Sequence, residues 1–435
     1  MTLQESFLSN KAAGKRLAKF IWKCSKVGLP VDFSTILRDR EMAWSQTKTN
    51  IAVLSLCQAM TNTTNAVILT VSGLAGLMLA PDNSFANLPL ALQFLGTALT
   101  AAPASYFMQR FGRRAGFNLG AIIGAVGGVL GAIAIYKHIF WLFGLGGFLL
   151  GVFNGFALYY RFAAADTASE DFRSRAISLV LAGGVLAAVV GPELAKWSRN
   201  LLTEQFVGTY MSISLLPIIC LFMLPLVRIP RVEKVEFKDK GRSITEVVRQ
   251  PVVAVAMLGG MVSYGVMAFL MTATPLAMHT HSHPFNETAF VIQWHVLGMF
   301  APSFFTGHLI KRYGVLRVML AGILLNFLCI LTNLQGTAVA HFWLGLFLLG
   351  IGWNFLFVGA TTLLTEGYTS AEKTKTQAIN EFAVFSVMVV ASMSSSTVLD
   401  LFGWRSINYA SLPFLLVMLV AIIFLQKKRL TAQEK

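Results

Sequence analysis

Residues 86–136 read ANLPLALQFLGTALTAAPASYFMQRFGRRAGFNLGAIIGAVGGVLGAIAIY. Two apolar runs, 86–108 and 114–136, flank a short polar break carrying Gln109, Arg110, Gly112, Arg113 and Arg114. A bilayer core about 30 Å thick needs about 20 apolar residues per helix. Both runs are that long, and apart from Arg114 at the edge neither holds a charged residue. The stretch predicts a membrane hairpin of helix, tight basic turn and helix.

Working outward, ten more such runs appear. They lie at about 50–80, 139–163, 174–196, 207–228, 251–278, 287–309, 315–333, 338–365, 376–399 and 405–426, which makes twelve expected spans. Composition agrees. Of 435 residues 55% are hydrophobic and 13% charged, whereas an ordinary soluble domain carries about 25% charge. This excludes a disordered chain, a disulfide scaffold and a water-soluble enzyme. The cysteines, Cys24, Cys57, Cys220 and Cys329, fit no zinc or redox spacing.

The net charge of +15 points to membrane loops and lipid rather than nucleic acid, because Lys and Arg collect on the cytoplasmic side. With the N-terminus in the cytoplasm, 31 of the 35 basic residues fall inside, and Lys137, Lys196, Arg199 and Arg405 fall outside. The expectation is a multi-pass protein of the cell inner (plasma) membrane with both termini cytoplasmic. The first 48 residues are too polar for a cleavable signal peptide. Within them, residues 11–23 mix basic residues with Phe20, Ile21 and Trp22. They read either as an amphipathic helix on anionic lipid or as a solvated tail.

Six spans, a charged linker and six more suggest duplication. Asn154 answers to Asn354, Gln93 to Gln293 and Asp166 to Glu366, each at an offset of 200. Arg110-Phe-Gly112 answers to Arg312-Tyr-Gly314, and Arg175-Ala-Ile177 to Gln377-Ala-Ile379. Repeated halves mark many secondary transporters, whose substrate site lies between the halves near the midplane. The expected division is a basic segment 1–48, a six-helix bundle 49–228, a linker 229–250, a second bundle 251–427 and a tail 428–435.

On these residues the chain resembles the major facilitator superfamily over about residues 50–427. The family pattern G-x-x-x-D-R-x-G-R-R meets Ser105-Tyr-Phe-Met-Gln109-Arg110-Phe-Gly112-Arg113-Arg114, with Ser for the Gly and Gln for the acid. Gly352-Trp-Asn354-Phe-Leu-Phe-Val-Gly359 is similar to the tenth span of a group of bacterial permeases. An Arg frequent early in the family's fourth span is replaced by Gly147, and only half of an exporter signature is present, at Gly191-Pro192. The resemblance implies an all-α membrane protein of twelve helices in two pseudo-symmetric bundles. It also implies a cytoplasmic gate, for which the candidates are Arg110, Arg113 and Asp166 in the first half and Arg312 and Glu366 in the second.

Polar groups inside spans are expensive, so each is a functional candidate. Gln58, Asn62 and Asn65 share one helix face in the first span. With Gln93, Asn154, Gln293, Asn354 and Asn380 they either line a cavity or bond helix to helix. Arg161 either holds an anionic group of a substrate or reaches the interface. Glu381 and His295 are the candidates for proton coupling. His279, His281 and His283 sit in an outer loop without carboxylate or thiol support, and no metal site or cofactor is assigned.

The expected function is secondary transport of a small organic solute by alternating access, driven by protons. The expected protein is monomeric, is surrounded by lipid and is not an enzyme. The alternatives are a multidrug exporter, a siderophore or metal-chelate transporter, and a non-transporting receptor or sensor.

Overall fold

The computed structural model describes residues 33–169, 172–229, 241–369 and 371–433. Outside them lie the 11–23 stretch, Cys24, Glu170, Asp171 and linker residues 230–240, as do the side chains of Arg175 and Ile177. The described residues form helices and no strand. In chain order the helices are α1 (Phe33–Leu79), α2 (Leu88–Phe111), α3 (Arg113–Tyr136), α4 (Phe140–Ala157), α5 (Tyr160–Thr167), α6 (Arg173–Ser198) and α7 (Val207–Met223). There follow α8 (Ile244–Val248), α9 (Pro251–Thr280), α10 (Phe285–Phe300), α11 (Ser303–Tyr313), α12 (Val315–Gln335), α13 (Val339–Thr365) and α14 (Lys373–Gln433). Contacts group the chain into two units, Met1–Thr49 and Asn50–Lys435, and the helix packing lies within the second.

Among the described residues nine helical stretches are long and apolar enough to cross a bilayer, and the bent pair α10–α11 makes ten. α14 is two helices joined across Gly403, whose φ is 75°. α6 contributes 26 further residues of largely apolar sequence. Every expected run therefore falls on helix. The sequence did not show that the fourth and eighth spans are broken. α4 gives way to α5 at Leu158–Tyr159, and α10 meets α11 at Ala301–Pro302 with a bend of 43°. Proline lacks the N–H that would continue the helix ladder, which accounts for the second break.

Lipid tails are as apolar as leucine, so close backbone approach replaces the hydrophobic effect as the packing force. α2 and α4 show how. A Cβ on Gly147 would lie 2.4 Å from the Pro89 carbonyl oxygen, and one on Gly151 would lie 2.0 Å from that of Gln93. Gly147 thus stands where the family often has Arg because the α2 backbone occupies the space. Large apolar side chains such as Trp141, Trp197 and Phe222 are exposed, as a lipid-facing surface requires.

The packing repeats with the sequence. α2–α4, α3–α4 and α3–α7 contacts in the first half match α10–α13, α12–α13 and α12–α14 contacts in the second. The turns repeat too: Gly112 has φ 92° and ψ 151°, and Gly314 has φ 88° and ψ 149°. This backbone region is open essentially to glycine alone. Between the halves, α2 packs on α14 and α6 on α10.

The end that carries the α1–α2 connection is sealed across the halves. Asn87 is fully buried and donates from Nδ2 to the Thr272 carbonyl (3.1 Å) and to Ser395 Oγ (2.8 Å). Ser396 Oγ donates to the Ser84 carbonyl at 2.7 Å. The Arg199 guanidinium lies over the touching rings of Phe206 and Phe285, 5.6 and 4.6 Å from their centroids.

Candidate functional site

In the first half the polar side chains join three helices. Gln93 Nε2 donates to Asn65 Oδ1 at 2.8 Å, and Asn65 Nδ2 donates to Asn154 Oδ1 at 3.0 Å. Asn154 Nδ2 reaches Thr97 Oγ1 at 3.3 Å, and Thr97 donates to the Gly151 carbonyl at 3.1 Å. One chain of bonds therefore ties α1, α2 and α4 where α2 and α4 approach most closely. Gln58 and Asn62 stand apart from it: Gln58 Nε2 donates to Asn62 Oδ1 at 3.0 Å, and both are half-buried.

In the second half Asn354 mends the broken eighth span. Its Nδ2 donates to the Met299 carbonyl (2.7 Å), left without its helical donor, and to Ser303 Oγ (2.6 Å). Thr306 Oγ1 donates to Asn354 Oδ1 at 2.7 Å. Gln293, about two turns before the same helix's bend, is half-buried and makes no hydrogen bond with a described residue. Asn380 is buried, and its Oδ1 would lie 3.8 Å from a Cβ on Gly260. His295 is fully buried, Nδ1 donates to the Leu346 carbonyl at 2.8 Å, and Nε2 has no partner.

Five aromatic rings gather beside these groups, and the sequence did not single them out. Tyr264 of α9 stands edge-on to Trp353 (5.1 Å) and Phe357 (4.9 Å) of α13. Trp353 and Phe357 stack at 5.1 Å with 17° between their planes. Phe385 of α14 lies 6.5 Å from Tyr264, and Phe300 of α10 lies 6.3 Å from Trp353. Among 34 Phe and 8 Trp such a cluster looks like ordinary lipid-facing sequence, and only the spacing of Trp353 and Phe357 by one helical turn hinted at it.

Glu381 is one turn before Phe385 on α14, so it projects from the face that meets Tyr264. It forms no ion pair with a described residue, and the charge of Arg161 reaches it from the other half. Arg161 begins just after the α4–α5 break; its guanidinium lies 4.9 Å from the Phe162 ring, and its Nε is buried without a partner. The Arg161 charge also reaches Tyr264 and Tyr159, whose hydroxyl donates to the Ala101 carbonyl at 2.7 Å. Tyr264 and Trp353 thus meet beside the α10–α11 break, while Arg161 follows the α4–α5 break of the other half.

The charged turns behave unequally. Arg113 Nη2 is 2.5 Å from Asp166 Oδ2, linking the α2–α3 turn to the end of α5. Arg110 and Arg312 are exposed and lie over Phe111 and Tyr313, 5.5 and 5.2 Å away. Glu366 pairs with Arg429 of the C-terminal segment instead of Arg312. Glu372 is held bidentately by Arg242, each bond 2.8 Å. The outer histidines do not converge: His283 bridges Glu287 Oε2 (3.0 Å) and the Thr337 carbonyl (2.7 Å), and His281 Nδ1 donates to the Ala277 carbonyl.

Two helical halves with matching turns, spans broken near a shared polar centre and inter-half seals at one end define a secondary transporter. A model of the Major Facilitator Superfamily matches residues 51–292 and again 256–435. The chain belongs to that superfamily: it is a multi-pass membrane transporter of a small molecule, not an enzyme. It is 40% identical over 388 residues to the riboflavin transporter RfnT of Brucella anthropi, covering 88% of this chain and 98% of that protein. It is 29% identical over 360 residues to the uncharacterized MFS-type transporter YdeG of Bacillus subtilis, covering 76% of this chain and 81% of the relative. With YddS of the same organism the identity is 28% over 369 residues, covering 77% and 83%.

Proposed function

We propose that this chain carries riboflavin across the cytoplasmic membrane by alternating access, its halves 49–228 and 251–427 turning about the centre that holds Arg161, Glu381 and Tyr264. One observation carries the reading: likeness to a riboflavin transporter extends over 98% of that protein, so no part of the transport core lies outside it. The centre suits such a cargo. A planar ring system is served by aromatic faces, and a hydroxylated chain by the amides of Gln58, Asn62, Gln293 and Asn380. Asn65, Gln93, Asn154 and Asn354 hold the helices that frame it.

With both termini cytoplasmic, the sealed end at Asn87 is the outer one and the arrangement is inward-facing. Arg113–Asp166 and Arg110 then belong to the open cytoplasmic side, as do Arg312 and Glu366, which exchange partners when it closes. Glu381 is the carboxylate proposed to take up the coupling proton, with His295 the second candidate.

Counterflow of labelled riboflavin into riboflavin-loaded proteoliposomes tests the cargo without needing a driving ion. Flux no greater than in protein-free vesicles overturns the reading. An imposed pH gradient then tests coupling. Gradient-driven uptake lost in Glu381→Gln while counterflow persists supports the carboxylate; unchanged driven uptake in both Glu381→Gln and His295→Ala removes the pair.

A further inference from the structure

Two buried donors near the centre have no acceptor. The Trp353 indole is about as buried as a core side chain, 5% exposed, and its Nε1–H finds no partner. Arg161 Nε is likewise buried and unpartnered. They come from opposite halves, and Tyr264 of α9 is in ring contact with Trp353. Inside a membrane no bulk solvent satisfies such groups, so an indole donor left open within a cluster of stacked rings points to an acceptor that arrives with a ligand. The surrounding rings are electron-rich and present faces and edges together. The complementary ligand is flat, aromatic and rich in acceptors along one edge.

We infer that the cluster of Tyr264, Trp353 and Phe357, with Arg161 opposite, is the subsite for the isoalloxazine ring, whose carbonyl and ring-nitrogen edge accepts from Trp353 Nε1 and Arg161. This rests on riboflavin being the cargo. It assigns recognition to the ring rather than to the ribityl chain, and it makes Trp353 the specificity-determining residue, with Tyr264 supplying a ring face. The site discriminates strongly against cargo lacking that edge, since the two buried donors then stay unpaired.

The experiment titrates the full-length purified protein with riboflavin and follows quenching of flavin emission, which stacking on Trp or Tyr produces. Lumiflavin, the isoalloxazine ring with a methyl in place of the chain, should compete and ribitol should not. Trp353→Phe should raise the Kd for riboflavin and for lumiflavin by a similar factor of about three to ten, the range one lost aromatic or hydrogen-bond contact gives. Tyr264→Phe, which removes only a hydroxyl, should keep the quenching and change the Kd less. Monodisperse elution and an unshifted Tm certify each variant. Competition by ribitol and not lumiflavin overturns the assignment without any variant. So do unchanged Kd and quenching in a folded Trp353→Phe. If wild type shows neither counterflow nor binding of riboflavin, the transport reading fails and this assignment with it; intact wild-type counterflow beside either of the other results fails this assignment alone.

Discussion

Asn87, at the start of α2, donates 2.8 Å to Ser395 Oγ, 308 residues further along the chain. Thr272 Oγ1 and Ser395 Oγ are themselves 2.8 Å apart, so one buried triad joins the two halves at the sealed end. The bonds are neutral. A neutral latch is weaker than buried ion pairs, and interhelical bonds of this kind in membranes average about 0.6 kcal/mol. That suits an element that must open in every cycle. Asn87→Ala should therefore favour the state open at this end. In a cysteine-replaced background, Ser84→Cys with Thr397→Cys should crosslink readily, because Thr397 Oγ1 already donates to the Ser84 carbonyl at 3.3 Å. The crosslink should stop counterflow and reduction should restore it. Adding Asn87→Ala should slow crosslinking severalfold; an unchanged rate would show that the triad does not hold the end shut.

Gly112 and Gly314 make a second test. Nothing lies within 4 Å of a Cβ built on either, so alanine meets no clash there. The cost comes only from backbone, with φ near 90° and ψ near 150°, and is about 1–3 kcal/mol. Gly112→Ala and Gly314→Ala should each lower Tm by similar amounts, as paired copies of one turn. A loss confined to one of them would break the equivalence.

Gln293 and Asn354 separate binding from scaffolding. Asn354 spends its amide on the bend between α10 and α11. Asn354→Ala should reduce Tm and maximal flux together, since buried partners are left unpaired at about 1–3 kcal/mol each. Gln293 touches no described polar group. Gln293→Ala should leave Tm unchanged and raise the KM for riboflavin severalfold. Transport kinetics with a thermal-shift assay decide it, and a reversed pattern would exchange their roles.

These contrasts show what a sequence can and cannot carry. Spans were legible because the bilayer imposes a length on apolar runs, and the paired turns because only glycine tolerates the backbone at Gly112 and Gly314. The Arg113–Asp166 pair was legible as opposite charges at neighbouring helix ends. Asn154 and Asn354, equivalent in sequence, do different work, since one joins a three-helix network and the other fills a proline break. No local pattern distinguishes them. Glu366 pairs with Arg429, a residue whose tail position reads only as topogenic charge. The ring cluster around Tyr264 was hidden because aromatic side chains serve lipid, packing and ligand alike.

Arg242 and Glu372 give a prediction in pH. Arg242 lies in the linker's C-terminal part and Glu372 precedes α14, so the pair clamps the linker's end onto the second half. The carboxylate is 1% exposed and also accepts from the backbone N–H groups of Arg242 (2.8 Å) and Thr369 (2.9 Å). The Arg242 guanidinium, followed by the Thr369 N–H, holds Glu372 well below the usual carboxylate range. A folded-state value below the unfolded one means the clamp stabilises fully above the ordinary glutamate pKa of about 4.3. It is lost only as pH falls through the depressed value. Glu372→Gln keeps the shape and removes the charge. It should lower Tm by a few degrees at pH 7 and by the same amount at pH 5. The gap should narrow only below about pH 4, where the unfolded chain's carboxylate takes up a proton that the folded one still refuses. A gap that closes between pH 7 and 5 would mean that the clamp is governed by another group, and a gap absent at pH 7 would mean that the linker's end is not fastened through this carboxylate.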